Sequence, residues 1–212
     1  MYKRQDLPSV VAEHPGDNQL LFGNCFDLPQ GKGGDADCSV ILKYGMKRDF
    51  NRWLDSLGDT APVASLTGLR EFNLAHRDQN AIRYGQAQLD ISDQMDVEQD
   101  RDRWRADRDK DIRLSRAEGI DAALEAHRLD ALLIPSWHAE NILNKAGYPA
   151  VIVPFAEVPN QPDPPLPDGF DPQPMPFGVS FIGTACSEPR LIELAYAFER
   201  VTGGRRPPMA CP

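Results

Sequence analysis

Between Pro159 and Pro176 the chain carries eight of its nineteen prolines. Each proline fixes φ and removes a backbone N–H, so neither a helix nor an interior strand can run through this stretch. Regular structure has to lie on either side of it. On one side stands Ala150-Val151-Ile152-Val153-Pro154, and on the other Gly178-Val179-Ser180-Phe181-Ile182-Gly183. Both read as strands. The first is a continuous apolar run rich in β-branched residues, the pattern of a strand buried on both faces of a sheet. The second is expected to be its neighbour. The prolines from 159 to 176 then form a surface excursion between two strands. A proline-rich docking ligand is the other meaning of such composition.

Helical periodicity fills much of the remainder. Ile41, Tyr44, Phe50, Trp53, Leu54 and Leu57 recur at three- and four-residue spacing, which predicts a helix over 40–57. In that helix Lys43 and Lys47 are expected at solvated positions. Ser65-Leu66-Thr67-Gly68-Leu69 opens a second helix, to about His76, with Thr67 as the expected N-cap. Residues 92–119 mix both charge signs around a thin stripe of Val97, Trp104 and Ile112, the pattern of one helix with most of its surface in water. Short helices are expected at Asp121–His127 and Glu140–Lys145, with a buried strand through Leu129–Pro135 between them. Leu191, Leu194, Ala195 and Phe198 share one face of a helix from Glu188 to Val201. Ser187 is its expected N-cap, and Gly203-Gly204 ends it. Gly31-Lys32-Gly33-Gly34-Asp35 reads as a loop. The alternation of strand and helix after residue 120 makes the class α/β.

A net charge of −9 and a pI near 4.9 argue against nucleic acid or an anionic membrane as partner, since both need a basic face. No apolar run approaches the ~20 residues of a membrane span. No secretory h-region opens the chain, so a cytoplasmic location is expected. Cys25, Cys38, Cys186 and Cys211 form no C-x-x-C pair and read as free thiols, although the Cys25–Cys38 spacing also allows a disulfide. Met1-Tyr2-Lys3-Arg4-Gln5 corresponds to GTG-TAT-AAG-AGA-CAG, which resembles the end of a transposon adapter used for sequencing libraries. Residues 1–5 are therefore expected to be an adapter scar, and residues 6–212 the protein proper.

Several motifs in one order carry a family resemblance. Lys47-Arg48-Asp49-Phe50-Asn51-Arg52-Trp53-Leu54, Ser65-Leu66 with Phe72-Asn73, and Tyr84-Gly85-Gln86 come first. Ala146-Gly147-Tyr148-Pro149-Ala150-Val151-Ile152-Val153-Pro154 follows, and then Pro176 through Pro189, the helix Leu191–Glu199, and Arg206-Pro207-Pro208. Over residues 40–208 the chain resembles the C-terminal part of the amidase signature family. Phe177-Gly178-Val179-Ser180-Phe181 is similar to general amidases, whereas the Gly-Leu-Gln stretch of the subunit that amidates charged tRNA is absent. The resemblance implies one amidase domain with a mixed β-sheet flanked by helices, and a small-molecule amide as substrate. No cofactor is implied.

The family's chemistry implies a serine nucleophile, a second serine on a cis peptide and a lysine base, with oxyanion donors from a glycine-serine-rich loop. Amide hydrolysis needs each part: the attacking hydroxyl must lose its proton, and the tetrahedral oxyanion needs fixed N–H donors. The serines here are 9, 39, 56, 65, 92, 115, 136, 180 and 187, and none has that context. Gly178-Val179-Ser180-Phe181-Ile182-Gly183 is not a G-x-S-x-G nucleophile elbow. In the family the triad lies N-terminal to everything matched here, so no catalytic residue is assigned and the frame is expected to continue upstream of Asp6. What the resemblance leaves is a substrate-side wall before the Gly-Tyr-Pro strand, made of His138, Asn141, Ile142 and Leu143. The alternative for these four is packing of a short helix. His76 and His127 are read as structural, and no His/Cys/Asp/Glu cluster has metal-ligand spacing, so no metal is expected. A non-catalytic binding or regulatory protein that retains only this half is the competing reading.

Overall fold

The computed structural model describes residues 39–135, 140–161, 165, 167–170 and 172–206. The adapter-like start, the Gly31–Asp35 loop, Cys25, Cys38, Cys211 and His138 fall outside the described residues. The chain divides into two compact units between Leu114 and Ser115.

The first unit is helical: α1 Ile41–Leu57, α2 Leu66–Ala75, α3 Ala87–Asp93 and α4, which begins at Arg101 and runs to Ser115. Polar side chains join these helices. Asn51 Oδ1 on α1 accepts the Leu66 N–H at 2.8 Å, which fixes where α2 begins. The N-cap of α2 is Ser65 rather than Thr67. The Ser65 hydroxyl oxygen accepts the Gly68 N–H at 3.1 Å, while the Thr67 hydroxyl donates to Asp93 Oδ1 at 2.6 Å. Lys47 and Lys43 are likewise not solvated. Lys47 Nζ donates to the Asp93 backbone carbonyl at 2.5 Å and lies 3.4 Å from its carboxylate, and Lys43 is fully buried. A lysine stem is apolar enough to pack in an interior when the ammonium finds oxygen. The expected helix over 92–119 is broken. Asp96 Oδ1 accepts the N–H groups of Glu98 and Gln99, both at 2.9 Å. This local alternative to the helical ladder starts α4 afresh. Val97 and Trp104 pack against Val40, Tyr44 and Met95. Tyr44 stacks on Trp104 with ring centres 5.4 Å apart.

The second unit holds a π-helical turn Arg116–Ile120, α5 Asp121–His127, β1 Leu132–Pro135, α6 Glu140–Ala146, β2 Ala150–Val158, β3 Met175–Ile182 and α7 Glu188–Thr202. The strands form a three-stranded sheet in the order β1-β3-β2. Ile152 stands opposite Ser180 and Ile134 opposite the same Ser180, so Gly178–Ile182 is indeed the neighbour of Ala150–Pro154. Both pairings are antiparallel, so the mixed strand directions expected of the sheet do not occur within these three strands.

One sheet face carries Val153, Val179 and Phe181 against Leu191 and Ala195 of α7, with Leu194 and Phe198 beside them, as the helix periodicity predicts. The other face is covered at one end, where Ile182 meets Ile120, Leu124, Ile142 and Ala146. Burial on both faces therefore belongs to central β3, not to β2. Ile152 on β2 is 58% exposed. Strand β1 also alternates between half-buried and exposed residues rather than being buried throughout. A bulge at Pro154–Ala156 interrupts the β2 pairing where proline has no N–H to give. Ser187 does not cap α7; its hydroxyl donates to the Thr184 carbonyl at 2.7 Å. Among the described residues no helix is long and apolar enough to cross a membrane.

Candidate functional site

Seven residues of helix are marginal alone, so α6 is held by what surrounds it. Ile142, 2% exposed, and Ala146 sit in the cluster with Ile120, Leu124 and Ile182, and Leu143 packs on its flank. Its C-terminal end is fixed by polar contacts. Gly147 takes the left-handed conformation at φ +64° and donates its N–H to the Leu143 carbonyl at 2.7 Å, a helix stop that suits glycine. Arg116 Nε donates to the Ala146 carbonyl at 2.7 Å. The same guanidinium lies 5.1 Å from the centre of the Tyr148 ring. The Tyr148 hydroxyl donates to Asp121 Oδ2 at 2.9 Å. Burial first, and then the bond to Asp121, raise the Tyr148 pKa above the usual tyrosine value. Asp121 Oδ1 is buried with no hydrogen-bond partner.

Of the four wall residues named from sequence, Ile142 and Leu143 are thus packed in or against the core, and Asn141 lies in the first turn of α6. His138 is outside the described residues. Arg116 and Asp121, which hold α6 and the Gly-Tyr-Pro turn in place, carry no signal in the sequence. Tyr148 was visible in its motif, but its partners lie about thirty residues upstream in an unremarkable charged stretch.

The described serines are either bonded locally or buried. The hydroxyls of Ser56 and Ser187 donate to carbonyls three residues before them, and Ser65 caps α2. Ser39, Ser92, Ser115 and Ser180 are buried. Among the described residues no group of three His, Cys, Asp or Glu side chains could hold a metal ion. Cys186 is an exposed free thiol.

No family model matches the chain. The X-ray structure of native peptide amidase from Stenotrophomonas maltophilia superposes with a TM-score of 0.66 at 35% identity, over 80% of this chain and 34% of that one. This chain belongs to the amidase signature family. An Arabidopsis thaliana protein described as a probable amidase is 29% identical over 177 residues, covering 83% of this chain and 31% of its own length. An amidase family protein of Bacillus anthracis superposes with a TM-score of 0.63 at 27% identity, over 79% of this chain and 30% of that one. The chain therefore spans about a third of the length of the relatives it matches. Within the first unit, side chains of the motifs that carry the family resemblance make polar contacts. Lys47 reaches Asp93, Asn51 the start of α2, and Asn73 Nδ2 donates to Gln86 Oε1 at 3.2 Å.

Proposed function

We propose that this chain is the C-terminal part of an amidohydrolase that cleaves carboxamide C–N bonds through two serines and a lysine lying N-terminal to it. The likeness to peptide amidase, over 80% of this chain but 34% of that enzyme, carries the reading. The burial or local bonding of the described serines supports it, because a nucleophile must reach both a base and the substrate carbonyl. In this reading the chain contributes the wall beside the acyl group of a small amide. That wall would be made of His138, Asn141, Ile142 and Leu143, of which Ile142 and Leu143 also anchor α6 to the core. The protein acts in the cytoplasm and needs no cofactor.

The reading predicts that the purified chain releases no ammonia above background from simple amides or from peptides with a C-terminal carboxamide. Turnover abolished by a serine-directed covalent inhibitor would overturn it and place a nucleophile within these 212 residues.

A further inference from the structure

We draw no further inference here: the strongest candidate, the exposed apolar patch around Ile152 on the β2 edge of the sheet, has nothing in the structure to show what covers it.

Discussion

The guanidinium of Arg116 serves one carbonyl and one aromatic ring at once. Arg116→Met keeps the apolar stem but strands the Ala146 carbonyl and uncovers Tyr148. The expected loss is about 1–3 kcal/mol of unfolding free energy, read from urea denaturation, with Arg116→Lys falling between. A Met variant as stable as the parent would mean the contact is incidental. Tyr148 provides a second measurement, in pH. Its folded pKa is raised, so the stability it contributes is complete below the unfolded value near 10 and is lost as pH climbs through the folded value. Tyr148→Phe is therefore expected to be less stable at neutral pH and to show a shallower alkaline decline. An alkaline limb identical in the two proteins would remove Tyr148 as its cause. At this scale the sequence was least legible. Ser65 and Thr67 both offer a hydroxyl at the start of α2, and only the presence of Asp93 decides that Thr67 turns away and Ser65 caps. Lys43 and Lys47 looked solvated because side-chain chemistry alone does not reveal which helices pack over them.

Whole elements were easier to foresee, since periodicity and proline placement are local properties. The positions of α1, α2, α5, α6 and α7 and the pairing of β2 with β3 follow from spacing and from the proline-rich segment between the strands. Which face of a strand is covered does not follow, because Val151, Ile152 and Val153 are apolar on both sides. The β2–β3 contact holds a steric constraint that the pattern leaves implicit. A Cβ added to Gly178 would lie 2.9 Å from Ile152 Cγ1 and 3.2 Å from the Val153 carbonyl oxygen. Ile152 is on an exposed edge and can swing aside, but the backbone oxygen cannot. Gly178→Ala is expected to destabilise by about 1–3 kcal/mol, only partly recovered when Ile152→Ala is added. Thermal melting of the three variants checks this, and full recovery in the double variant would show that the side chain, not the backbone, sets the limit.

For the molecule as a whole, the decisive feature is apolar surface left in water. Ile152 stands uncovered on an edge strand, with Phe155 and Met175 also exposed along the β2–β3 pair. Edge N–H and C=O groups beside exposed apolar side chains form a template for intermolecular pairing. The chain is expected to self-associate with rising concentration, and Ile152→Lys to reduce that association without lowering the melting temperature, as light scattering and melting can show. A monodisperse monomer that melts above about 60 °C would make this part a domain in its own right and favour the binding-protein reading. The connection between the strands has a different consequence. Val158 is already paired with Met175 and Glu157 with Pro176, so the last proline of the expected 159–176 excursion belongs to β3, and only the segment 159–174 leaves the sheet and returns to it at adjacent positions. Its two ends are held together by the ladder, whatever length of chain lies between them, and each doubling of a flexible loop costs only about 0.6 kcal/mol. A change of length between those ends is therefore expected to leave the register of the two strands as it is.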